Sequence, residues 1–148
     1  MKPEQIILVQ LVDENGKQVQ MGSVYVHLYL YTLGDFRYCF DFGPTDTLGN
    51  LRITFEEVEG KRIEAGKTSL MDYNTPLGEC DNRVCIKVPS KKNLQDAYEA
   101  ATSWNQGIPP EFAKPWLTAN NMKIKASETF VELREKETIV PIKCEMMG

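Results

Sequence analysis

The chain carries few side chains able to do chemistry, and their spacing limits what that chemistry is. Histidine occurs once, at position 27. A lone imidazole excludes every metal centre or acid-base scheme that needs two. As a general base His27 would need an acid to orient it and a nucleophile to activate, and neither lies near it in sequence. His27 therefore reads as a packed or hydrogen-bonded ring. Cysteine occurs at 39, 80, 85 and 144. Cys80 and Cys85 flank Asp81-Asn82 in a turn-like stretch, a spacing open to a disulfide, to free thiols or to half of a metal site. Cys39 and Cys144 fall in strand-like runs and read as small apolar residues. No spacing here demands a cofactor, and none is expected.

Two acids stand at the head of similar tetrapeptides, Asp13-Glu14-Asn15-Gly16 and Asp46-Thr47-Leu48-Gly49. Together with Asn15 they could hold calcium through oxygens at one end of the fold. The ligand spacing of a dedicated calcium loop is missing, so both aspartates read as caps of their own turns. Glu56, Glu57 and Glu59 read as a solvated strand end. Rings recur at 25, 27, 29 and 31, and could stack on sugars, but alternation this tight reads as core. Phe112, Trp116 and Leu117, set among Pro109, Pro110 and Pro115, form the segment most suggestive of an interface, with sheet cover as the competing role.

Composition narrows the classes further. Seventeen basic and 21 acidic residues give a net charge of −4, with no Lys/Arg stripe. A nucleic-acid partner is not expected, because such affinity rests on clustered cations. Apolar residues make up 42% and charged residues 26% of 148, ordinary globular composition that fits one domain spanning 1–148. The longest early apolar run, 6–12, is far short of the roughly 20 residues a membrane helix needs. Met1-Lys2-Pro3-Glu4 leads straight into that run, so no secretory signal is read, and the compartment stays open.

The elements that must position these residues read as strands for two thirds of the chain. Residues 6–12 are a nearly continuous apolar run that suits a strand covered on both sides. From Val24 the pattern alternates cleanly, with Val26, Leu28 and Leu30 opposite Tyr25, His27, Tyr29 and Tyr31. A short glycine-containing connection, 32–35, returns the chain as a hairpin over 36–42. Pairing Tyr31 with Phe36 sets Tyr29 against Tyr38 and His27 against Phe40, which predicts a central hairpin buried on both faces. Further strands are expected over 51–55 and 83–88, a weaker one near 69–73, and a closing hairpin of 122–133 with 138–146. Leu94, Ala97, Tyr98, Ala101 and Trp104 recur at helical spacing, so a helical insertion is predicted near residues 90–118. Its apolar stripe needs a sheet face to lie on.

The turn at 13–16, the valine-rich strand after Gly22-Ser23, and Thr45-Asp46-Thr47-Leu48-Gly49-Asn50 resemble the opening half of transthyretin-like and carboxypeptidase-regulatory-like domains, and the B-type repeats of bacterial adhesins. The resemblance covers residues 6–55 and implies a sandwich fold. It departs from the family's enzymes and crosslinked repeats. Hydroxyisourate hydrolases use several histidines and a C-terminal Tyr-Arg-Gly-Ser, whereas this chain ends Cys144-Glu145-Met146-Met147-Gly148. Intradiol dioxygenases need two His and two Tyr. Self-crosslinking repeats need an asparagine on the closing strand, and 138–147 has none.

The expectation is a mainly β, immunoglobulin-like or transthyretin-like sandwich with a helical insertion. Its expected role is a non-catalytic binding or assembly module that contacts protein, including copies of itself, through the insertion and exposed strand edges. Two other roles stay open: a structural subunit of a larger viral or surface-layer particle or filament, and a hydrolase with an unrecognised site.

Overall fold

The computed structural model describes residues 1–68, 72–89 and 120–146. Seven strands among them form two sheets: β1 (Ile6–Val12), β2 (Val26–Thr32), β3 (Asp35–Phe42), β4 (Asn50–Thr54), β5 (Arg83–Val88), β6 (Ser127–Glu132) and β7 (Glu137–Lys143). One sheet has the order β4-β1-β7, the other β3-β2-β5-β6. The protein is mainly β, as its alternating patterns predict. The inward face of β2 is the one its alternation picks out, whereas β1, expected to be covered on both sides, buries Ile7, Val9 and Leu11 and leaves Ile6, Leu8 and Gln10 half-buried. In the core, Ile7, Val9, Leu11, Ile53, Val140 and Ile142 come from the first sheet, and Val26, Leu28, Leu30, Val84, Ile86 and Val88 from the second, all essentially solvent-free. No helix among the described residues is long and apolar enough to cross a membrane.

The β2–β3 hairpin departs from the predicted register by one residue. Tyr31 does face Phe36, but a bulge follows, so that Leu30 faces Tyr38, Tyr29 faces Cys39 and His27 faces Asp41. An inserted residue flips everything beyond it to the other face. Tyr38, Phe40 and Phe42 thus join the core, while Cys39 and Asp41 share the outward face with His27 and Tyr29. Among the described residues β3 is an edge strand, and the outward side chains of β2 and β3 are half-buried to exposed.

The predicted closing hairpin is also corrected. β6 pairs antiparallel with β5, whereas β7 pairs in parallel with β1 in the other sheet. The link at 133–136 therefore crosses between sheets, held by Gln5 Nε2 donating to the Arg134 carbonyl (2.8 Å) and Ile6 N–H to that of Lys136 (2.9 Å). Pro141, which has no N–H for a ladder, fits β7 because that strand lies at an edge.

A helix stands where a strand end was expected. α1 (Phe55–Thr68, 14 residues) begins on a Thr54 side-chain cap: Glu57 N–H donates to Thr54 Oγ1, and that hydroxyl donates to the Glu57 carboxylate. Acids in its first turn and Lys67 in its last suit the helix dipole. Only Val58 is fully buried, so the apolar period is faint. α1 packs beside β4, and its Lys61 ammonium lies 4.9 Å from the Phe42 ring centre of β3. Arg62 pairs with Glu59 and donates to the Tyr73 carbonyl (2.7 Å), and the Tyr73 ring stacks on Tyr38, centroids 5.3 Å apart. Residues 72 and 73 belong to no strand. The insertion predicted near 90–118, the stripe from Leu94 to Trp104, the interface residues Phe112, Trp116 and Leu117, and residues 69–71 of the weaker predicted strand lie outside the described residues.

Candidate functional site

The outward face of the four-stranded sheet collects most of the chemically capable side chains. Asp41, His27, Lys87 and Glu128 form one row across four strands. His27 Nε2 lies 3.0 Å from Asp41 Oδ1, and Lys87 Nζ 3.6 Å from the Glu128 carboxylate. The acid that sequence proximity did not offer His27 comes from across the hairpin, through the bulged register. The next row is Cys39, Tyr29, Cys85 and Phe130. Burial, reinforced by the neighbouring Cys39, pushes the Tyr29 phenol up to about 12, so it stays a neutral hydroxyl. The Lys87 ammonium sits 4.5 Å from the Tyr29 ring centre. A shallow pocket of about 500 Å³ lies beside these residues, lined also by Pro89, Ser127 and Glu128.

Of the alternatives open for Cys80 and Cys85, the structure has free thiols. Cys80 turns into the core while Cys85 lies on the outward side of β5. Burial pushes all four thiols up, which keeps them protonated and poor nucleophiles.

The two aspartate turns are near copies of each other. Asp13 Oδ1 accepts from the N–H groups of Asn15 and Lys17 (2.8 and 2.9 Å), and Asp46 Oδ1 from those of Leu48 and Asn50 (both 2.9 Å). Gly16 and Gly49 sit at φ +80° and +81°. Gln18 joins the pair by donating to the Leu48 carbonyl and to Asn50 Oδ1. These carboxylates cap their own turns, as expected. No three metal-ligating side chains converge among the described residues.

At the other end of the sandwich the β2–β3 turn is built differently. Its two loop residues, Leu33 and Gly34, have φ +52° and +83°, the double positive φ of a type I′ turn. Gly34 is the residue such a turn favours, whereas Leu33 occupies a position where Asn or Asp is usual. The carboxylate that holds the turn comes from far along the chain. Asp81 Oδ1 accepts from Leu33 N–H (2.9 Å) and Oδ2 from Gly34 N–H (2.8 Å), while Asp81 N–H donates to the Tyr31 carbonyl (2.7 Å). Asp81, in sequence a turn residue between two cysteines, is the brace of the hairpin tip.

The braced tip presents apolar surface. Leu33 is 91% exposed, Phe36 55% and Phe130 47%. Tyr29 and Phe36 lie 5.9 Å apart and Tyr31 and Phe130 6.3 Å apart, and the Arg83 guanidinium sits 4.8 Å from the Phe130 ring centre. Aromatic rings and a guanidinium are groups that recognition surfaces concentrate. Sequence reasoning found Gly34 but missed Leu33, whose only signal is a leucine where a two-residue loop needs positive φ. Against protein-family models, curated proteins and solved structures alike, the chain has no match.

Proposed function

We propose that this protein is a non-catalytic, transthyretin-like β-sandwich module that binds another protein through the apolar end formed by Leu33, Phe36, Phe130 and Arg83. The fold half of the reading draws on the two congruent D-x-x-G turns and on the strand partition. In immunoglobulin domains the first, second, fourth and fifth strands share a sheet. Among the described strands the first, fourth and seventh share one, and the second, third, fifth and sixth the other, which favours the transthyretin-like alternative.

Leu33 carries the functional half. A leucine at positive φ costs about 1–2 kcal/mol relative to an ordinary conformation, and here it does so with its side chain 91% exposed, so that no internal packing offsets the cost. Strain retained at an exposed apolar residue, and held by a remote carboxylate, fits a contact point kept for a partner. A photo-crosslinking residue at position 33 of the full chain, in its native cell, should trap one discrete protein, and the same residue at position 15, in the opposite end, should trap none. A second copy of this chain as the trapped species would make the module an assembly subunit. Equal trapping at both positions, or none at 33, contradicts the proposal.

A further inference from the structure

The groove between α1 and β3 has a separate logic that does not rest on the hairpin end. Among the described residues no strand pairs with the outer edge of β3. Which backbone groups this leaves open follows from the neighbouring strand. Tyr31 turns its carbonyl to Asp81, away from β3, so by alternation Tyr29 and His27 also turn away from it. The residues bonded to β2 are then Tyr38, Phe40 and Phe42, opposite Leu30, Leu28 and Val26, and Cys39 and Asp41 direct their N–H and C=O groups outward. Both line a wide, shallow groove of about 610 Å³, bordered on its other side by α1 with Glu56, Glu57, Gly60 and Lys61.

Gly60 is the second, independent observation. Glycine is the poorest helix former after proline, and one in a helix interior is expected where another backbone must come close. Within the described structure nothing comes close: no neighbouring atom lies within 4 Å of the position its Cβ would take. The gap opens into the groove, opposite the unpaired edge. Asp41, Glu56 and Glu57 outnumber Lys61 along its walls, so the charge favours a cationic occupant.

We infer that this groove receives a basic, extended peptide segment as an added strand on β3, bonded to the outward backbone groups of Cys39 and Asp41 and passing over Gly60. The test uses the isotope-labelled full chain and a short capped peptide of alternating lysine and valine, with a glutamate-valine peptide as its control. The lysine peptide should bind and slow amide exchange at Cys39 and Asp41 about tenfold or more. Glu56→Lys should weaken it about fivefold or more, and Gly60→Leu should block it with the fold intact. Gly60→Ala should raise the melting temperature, since nothing internal requires a glycine there. Lysine-peptide binding that leaves those two amides unprotected, equal binding of the glutamate peptide, no binding, or a lowered melting temperature for Gly60→Ala would each overturn the inference.

Discussion

The two ends of the sandwich solve the same problem with opposite means. Each must reverse the chain at residues with positive φ and satisfy the N–H groups exposed there. At the 13–17 and 46–50 turns the carboxylate belongs to the turn itself, a glycine takes the positive φ, and the solution recurs with matching distances. At the 33–34 turn the carboxylate is Asp81, nearly fifty residues on, and a leucine shares the positive φ with its glycine. The first end is locally encoded and mostly polar, although Leu48 on the 46–50 turn is half-exposed. The second depends on tertiary structure and displays hydrocarbon. The difference separates a turn held by its own carboxylate from one held by a carboxylate that tertiary structure brings in.

The comparison can be broken most forcefully within the first end. A Cβ at Gly49 would come within 2.2 Å of the Val19 carbonyl oxygen, whereas one at Gly16 meets nothing within 4 Å. Gly49→Ala should cost about 3 kcal/mol or more, combining strain with the backbone clash, and Gly16→Ala only about 1 kcal/mol for the strain alone. Urea denaturation of both variants checks this, and equal losses would mean that the turns are not distinguished by their surroundings.

Asp81→Ala comes next. It removes two charge-assisted bonds from a partly exposed carboxylate and should cost about 2 kcal/mol. The loss should show as faster amide exchange at Leu33 and Gly34. Asp13→Ala, which removes a purely local cap, should cost about 1 kcal/mol and leave those amides unchanged.

A smaller effect follows from burial at the second end. Met1 is buried there and its amino group donates to the Leu77 carbonyl. Desolvation lowers the pKa of that amine below its ordinary 8.0. The unfolded chain therefore binds more protons than the folded one between the two values, and stability rises with pH through that window up to about 8.0. The four thiols have the opposite sign. Their raised pKa values favour the folded state below the ordinary 9.0, a contribution lost as pH rises through and beyond it. The denaturation midpoint should pass through a maximum between those two pH values, and a midpoint falling steadily from neutral pH would contradict this.

What could be read from the sequence follows the same division. The inward face of β2 was legible because strand alternation is local, and so were the aspartate turns, whose cap and glycine lie within five residues. The one-residue insertion between Tyr31 and Tyr38 was not, since nothing in Phe36-Arg37-Tyr38 marks a bulge, and missing it hid the approach of Asp41 to His27. The start of α1 was present in Thr54-Phe55-Glu56-Glu57 as a Thr54 cap, masked by a helix that buries little besides Val58. Asp81 could not be found at all, because its partners are defined only once β2 and β5 lie side by side.

In the proposed role, Leu33 keeps an unfavourable conformation for the sake of its exposed side chain. The most direct test of this is the urea midpoint of Leu33→Asn, a residue that tolerates positive φ and leaves the backbone bonds to Asp81 in place. The account predicts a gain of about 0.5–1 kcal/mol over the natural chain. A variant no more stable than the natural chain, or less stable, would show that Leu33 serves the fold itself, and the binding end would lose its foundation.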